Sequence, residues 1–260
     1  MRLRRQNREL AHVNGNNNIT GPNAKHGTHV AGLAAGLVDT LYNKSSFRNP
    51  IQIMGLRVVP DGDEYDKDVA LGIRYAVNNG AKIINMSFGK SFSPEQAWVD
   101  SAIRYAASKD VLIIHSAGNE SYNLNIKSVY PSPVSKVLKD RATNMITVGA
   151  SSDPLIAEGL LTDFSNYGNK IVDLLSPGKK IYSSLPNQQY GFLDGTSMSA
   201  PILSHIAALV RAYFPKLTAT EVKAILLQSC WKPTDPSINL NELSAEGGII
   251  NAAFCMQNAI

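Results

Sequence analysis

The chain has 260 residues, 44% of them hydrophobic and 18% charged, a globular composition that excludes an extended disordered chain. Its net charge of +4 is localised: Arg2, Arg4, Arg5 and Arg8 are four of the 25 basic residues, and the other 21 balance the 21 acidic ones. The body is therefore neutral, the first eight residues read as a solvated basic arm, and a nucleic-acid partner is not expected.

The opening "MRLRRQNREL" has the positive start of a signal peptide but no apolar region behind it. No apolar stretch of the chain approaches the roughly 18 residues that span a bilayer. Residues 1–24, with the polar and turn-rich "HVNGNNNITGPNAK" at 12–25, read as a basic and polar lead-in. "KHGTHVAGLAAG" (25–36) then starts a helix of small and apolar residues. Short β-branched runs at 51–59 ("IQIMGLRVV"), 82–88, 111–116, 145–150 and 171–176 read as buried strands. Helical patterns lie between the early strands, at about 67–79, closed by "NNG", and about 95–109, opened by Pro94 and Glu95. The acidic "DGDEYDKD" (61–68) reads as a solvated loop and helix cap. As a calcium loop it fails, because position 12 is Gly72 and not a glutamate. "GTSMSAPILSHIAALVRAYFP" reads as a long, largely buried helix ended before Pro215, with another helix from about Thr218. Cys230 and Cys255 admit one disulfide but make no framework. The alternation predicts one α/β domain, residues 25–258, with a mostly parallel sheet between two helical layers.

Sites in such sheets gather beyond the carboxyl ends of the strands, which singles out "SFG" after 82–86, "SAGNES" after 111–115 and "DGTSMSAP" at 194–201. His26 and His29 sit three apart on one helix face. Taken alone they fit a two-histidine metal site, a general base with a structural neighbour, or a core histidine beside an accidental second one. Ser197 stands at a helix start, where backbone N–H groups lack intrahelical partners and can face a developing negative charge; alone it also fits a helix cap. The lipase-type turn G-x-S-x-G is not met, since Ser199 occupies the place of its second glycine. Asn119, after the small Ala117 and Gly118, offers an amide donor to an oxyanion, or is a turn asparagine.

Together, a helix-borne HGTHVAG, strand–SFG, strand–SAGN and GTSMSAP at a helix start resemble the subtilisin-like serine peptidases. The resemblance runs from about Asn23 to near Asn251 and takes in "FSNYG" (164–168) and "DLLSPG" (173–178). It implies a three-layer α/β fold and a serine endopeptidase. His26 would be the general base, His29 its structural neighbour, Ser197 the nucleophile, and Asn119 with the Ser197 N–H the oxyanion hole. Ser87, Phe88 and Gly89 would pair with substrate backbone and wall one side of the pocket for the residue before the cleaved bond. Ala117 and Gly118 would wall the other. The resemblance also implies protein or peptide substrates and an exported protein, secreted, periplasmic or at the cell surface. A structural calcium ion is compatible with it, but no residue pattern indicates one and no cofactor is expected.

One part of the family pattern is missing. The order is Asp, His, Ser, with the aspartate at the end of a first strand in D-[ST]-G, yet residues 1–25 contain no aspartate and only Glu9 as a carboxylate. Asp39 lies 13 residues past His26, about 20 Å away along a helix at 1.5 Å per residue. The leading expectation is an upstream strand, outside this chain, that carries the aspartate. The others are a degenerate member that binds extended peptides with little or no turnover, and completion of the site by Glu9 or by an acid from another chain.

Overall fold

A computed structural model describes residues 16–36, 50–59, 62–135, 139–153, 155, 159–235 and 238–260. The basic arm, Glu9 and Asp39 lie outside them. The elements begin with α1 (Lys25–Ala35), α2 (Asp66–Asn78), β1 (Ile83–Met86), α3 (Gln96–Ser108) and β2 (Leu112–Ser116). They continue with β3 (Met145–Ser151), β4 (Leu174–Pro177), β5 (Ile181–Leu185) and β6 (Gln189–Leu193). α4 (Thr196–Tyr213), α5 (Ala219–Gln228), β7 (Cys230–Trp231), β8 (Ile249–Ile250) and α6 (Ala252–Asn258) complete the chain.

The strands form a sheet in the order β1-β2-β3-β4-β8-β7, parallel except where β7 runs against β8. Period-2 alternation sorts their side chains into two cores. Leu112, Ile114, Ile146, Val148 and Leu174 pack against Leu203, Ala207, Val222 and Leu226 of α4 and α5. Ile113 and Met145 pack on the other face against Val69, Ile73, Ala102 and Ile103 of α2 and α3. β2 and β3 are buried at every position, as near-continuous apolar runs covered on both faces should be. The expected three-layer fold is thus present. α5 opens with the reciprocal Thr218–Glu221 capping box, a start that the sequence signals.

Two expectations need correction. The run 51–59 joins no ladder, and Ile53, Met54 and Leu56 are exposed. β-branched residues make a strand only beside a strand that offers hydrogen bonds. Among the described residues none does, and β1 is the sheet edge, with Ile83 to Asn85 only half-buried.

The acidic loop, in turn, is not solvated at Glu64 or Asp66, both of which are buried. Asp66 pairs with Lys90 at 2.7 Å and accepts from Ser93 Oγ and the Glu95 N–H, each at 2.8 Å. The buried ammonium and these donors compensate its desolvation. Asp66 does not cap α2 either: the residue before the helix is Tyr65, without a side-chain cap bond. The disulfide that the sequence leaves open is not formed, and Cys230 and Cys255 are free thiols. Burial pushes the Cys230 thiol up to about 12, so it stays protonated.

Four strands escaped the sequence reading, the short β7 and β8 and the pair β5 and β6. β5 and β6 form an antiparallel hairpin, turning at Asn187 and Gln188 with φ of 61° and 57°. Two consecutive positive φ values suit the turn that matches strand twist, but Pro-Asn-Gln lacks the Asn-Gly or Asp-Gly dipeptide that announces it.

Candidate active site

α4 packs across β1 to β4 and brings its N-terminus to the turns that leave their carboxyl ends. Gly195 precedes the helix with φ 142° and no side-chain cap. A Cβ there would stand 3.2 Å from Asn119 Nδ2, so glycine keeps the space between helix start and amide open. Ser197 is half-buried, between the buried Thr196 and Met198. Its backbone N–H has no partner among the described residues, as expected in the first turn of a helix.

Pro201 lies inside α4, four residues after Ser197. Proline has no N–H to give to the carbonyl one turn back, so the Ser197 carbonyl is left without its helical donor. Ser87 Oγ supplies one at 2.9 Å, and Ser197 Oγ donates in return to the Ser87 carbonyl at 3.2 Å. Asn85 Nδ2 donates to Ser87 Oγ at 2.9 Å, and Ser204 Oγ to Asn85 Oδ1 at 3.0 Å. The nucleophile candidate is thereby tied to the segment leaving β1. Its hydroxyl points to Ser87 and not to His26.

Asn119 Oδ1 accepts from both the N–H and the Oγ1 of Thr196, each at 2.9 Å. Two donors on one oxygen fix the amide orientation and leave Nδ2 unpartnered among the described residues. Thr196 Oγ1 also accepts from the Gly118 N–H at 3.0 Å. Two donors without partners, Asn119 Nδ2 and the Ser197 N–H, therefore flank the same turn, an arrangement suited to an oxyanion.

The sequence reading missed what holds that loop in place. Asn166, fully buried within "FSNYG", accepts on Oδ1 from the N–H groups of Glu120 (3.1 Å) and Tyr122 (2.7 Å). Its Nδ2 donates to the Ala117 carbonyl at 2.9 Å and to Glu120 Oε2 at 2.6 Å. Its own N–H donates to the Gly118 carbonyl at 2.9 Å. Gly118 (φ 100°) must be glycine, since a Cβ would lie 2.4 Å from Asn166 Nδ2. The motif was visible in the chain, but its contacts with a loop far earlier in the sequence were not.

The two histidines separate sharply. His29 is fully buried, and its Nε2 donates to the carbonyls of Ile181 and Gly191, both at 3.1 Å, one on each strand of the hairpin. Ser183 Oγ returns a bond to the His29 carbonyl at 2.9 Å. His26, one turn earlier, is exposed, and among the described residues it makes no hydrogen bond or ion pair. Desolvation by the protein around it, and then the neighbouring His29, push its pKa below the ordinary value. That keeps the ring neutral, as a base must be. No carboxylate lies against it among the described residues, nor do three or more His, Cys, Asp or Glu residues group to hold a metal ion. His29 spends its Nε2 on the two hairpin carbonyls, and Asp66 of the acidic loop is committed to Lys90.

A third histidine, His115 on β2, is 2% exposed, and its Nε2 donates to the Phe88 carbonyl at 2.8 Å. Burial depresses its pKa from 6.5 to about 4, so the unfolded chain binds the extra proton. Its share of stability is complete above about pH 6.5 and is lost as pH falls towards about 4, by at most ~1.4 kcal/mol per pH unit. Urea unfolding of the parent and of His115→Gln across this range is expected to show the parent losing its advantage with acid. Parallel curves would show that the ring does not titrate in this way.

Residues 3–248 match the family model described as Subtilase family. The chain is 36% identical to the Cell wall-associated protease of Bacillus subtilis (strain 168), over 82% of this chain and 22% of that protein. It is 33% identical to the Major intracellular serine protease of the same organism, over 78% of this chain and 61% of that one. It thus spans less than two thirds of either curated relative. Among solved structures, the Prenylagaramide maturation protease PagA is similar with a TM-score of 0.68 at 26% identity, over 92% of this chain and 84% of that one.

Proposed function

The chain belongs to the subtilase family, and on that premise we propose that it is a serine endopeptidase, with residues 25–258 as its peptidase domain, hydrolysing peptide bonds by acyl transfer through Ser197. The observation that carries this reading is the fixed Asn119 amide, whose free Nδ2 shares the turn of Ser197 with the free Ser197 N–H.

In the proposed sequence the Ser197 hydroxyl leaves the Ser87 carbonyl and gives its proton to His26 as Oγ attacks the substrate carbonyl. Asn119 Nδ2 and the Ser197 N–H hold the resulting oxyanion. When the tetrahedral species collapses, the peptide C–N bond breaks and His26 returns the proton to the leaving amine. Water, deprotonated by His26, then releases the acyl group and restores Ser197. Ser87, Phe88 and Gly89 hold the substrate backbone, and the pocket lies between them and Ala117–Gly118. Asn119→Ala is expected to lower kcat by roughly 10²–10³ with little change in KM, the size of effect measured for such a donor in a subtilisin. A peptide assay checks this, and an unchanged kcat would remove Asn119 from the oxyanion hole.

A second reading is favoured by the two features that depart from a poised triad: no described carboxylate against His26, and a Ser197 hydroxyl bonded to Ser87. The protein would then bind extended peptides by strand addition without turnover. A fluorophosphonate probe separates the two, because only an activated Ser197 becomes covalently labelled. Export is proposed on the likeness to the cell wall-associated protease. The likeness to an intracellular one makes cytosolic retention in a fractionation experiment the opposing outcome. No described helix is long and apolar enough to cross a membrane.

A further inference from the structure

The segment Ser87–Gly89 has to present backbone groups to a peptide although β1, which leads into it, has already parted from β2. The last register pair of the two strands is Met86 with His115. Beyond it, no β2 backbone group bonds to Phe88. The His115 ring takes over instead, its Nε2–H donating to the Phe88 carbonyl at 2.8 Å. In an extended chain, successive residues direct their N–H and C=O groups to opposite sides. With Phe88 held towards β2, an extended course would turn Ser87 and Gly89 the other way. The Ser87 carbonyl does face that way, since it accepts from Ser197 Oγ. Gly89 is exposed, and neither of its backbone groups has a partner among the described residues. The next residue is secured again: Lys90 exchanges both backbone bonds with Tyr130, at 3.0 and 2.9 Å.

We propose that His115 is a positioning residue for substrate binding: its Nε2–H on the Phe88 carbonyl keeps Ser87–Gly89 extended, so that the free Gly89 groups face the incoming peptide. This rests on the Ser87–Gly89 segment being the peptide-binding edge, as in the proposed function. Because Nε2 donates, the ring is the neutral Nε2–H tautomer, and its buried Nδ1 has no partner. His115 therefore carries no proton to or from the substrate, and it acts through Phe88 alone.

Two substitutions separate the bond from the packing. In His115→Gln the side-chain amide reaches about as far as Nε2 and can donate to the carbonyl. His115→Met fills similar volume without a donor, leaving a half-buried carbonyl unpaired. Binding of a fluorescent extended hexapeptide is measured by anisotropy in the full chain carrying Ser197→Ala, which reads the edge without any chemistry. The expected result is roughly tenfold weaker binding for His115→Met and near-parent binding for His115→Gln. In the protein that retains Ser197 the same loss is expected as a raised KM, with kcat changing less. Equal binding by all three proteins, equal losses in both variants, or no peptide binding by the parent would each overturn the proposal. Peptide binding that depends on the His115 donor in a protein that fluorophosphonate does not label would uphold it, while removing the peptidase reading.

Discussion

Ser197→Ala is expected to abolish both fluorophosphonate labelling and peptide hydrolysis, with a fall in kcat of order 10⁶, the scale seen when the nucleophile of a subtilisin is removed. The substitution deletes one oxygen from a half-buried position at a helix start. The bond lost, Ser197 Oγ to the Ser87 carbonyl, is long at 3.2 Å. The stronger tie, Ser87 Oγ to the Ser197 carbonyl at 2.9 Å, runs through the backbone and survives. The melting temperature should therefore stay close to that of the parent, and activity and stability should part company. Retained hydrolysis by the Ser197→Ala variant would exclude Ser197 as the nucleophile.

His26→Ala should match Ser197→Ala in lost activity, because a nucleophile and its base act as one unit. Its cost in stability should be slight, since the ring is exposed and, among the described residues, unbonded. His29→Ala should do the reverse. It empties a fully buried site and strips the donor from two hairpin carbonyls, at a cost on the order of 3 kcal/mol. Labelling rate and melting temperature, measured on both variants, test the assignment. A stable, unreactive His29→Ala beside a reactive His26→Ala would exchange the two roles.

The layers of this fold could be read from the chain because each strand and helix advertises its own period. β2 and β3 are mostly apolar runs buried at every position, α2 and α3 carry one apolar face each, and Thr218–Glu221 announces α5. The exceptions share a cause. Whether 51–59 forms a strand depends on a neighbour beside it, whether Asp66 is solvated depends on Lys90, and the β5–β6 turn has no signature dipeptide. At the site, residue types and spacing marked His26, Asn119 and Ser197. They did not show that Thr196 aims the Asn119 amide, that Asn166 secures the loop, or that the Ser197 hydroxyl rests on Ser87. Those are contacts between segments tens of residues apart, and local pattern carries no trace of them.

Proline at position 201 has a consequence for how this protein can change. Because it withholds a donor from the Ser197 carbonyl, the Ser87 hydroxyl takes that place, and with the return bond from Ser197 Oγ it joins the segment proposed to bind peptide to the turn proposed to carry the nucleophile. On the proposed function, an alteration at Ser87 would be felt at once by what is bound and by how fast it is cut, so preference and turnover would not drift apart at that position. Ala117 and Gly118 are bound by a similar restriction, pinned as they are by Asn166 and Thr196. On that reading, new substrate preferences would arise in more peripheral loops, which can vary while the centre stays as it is.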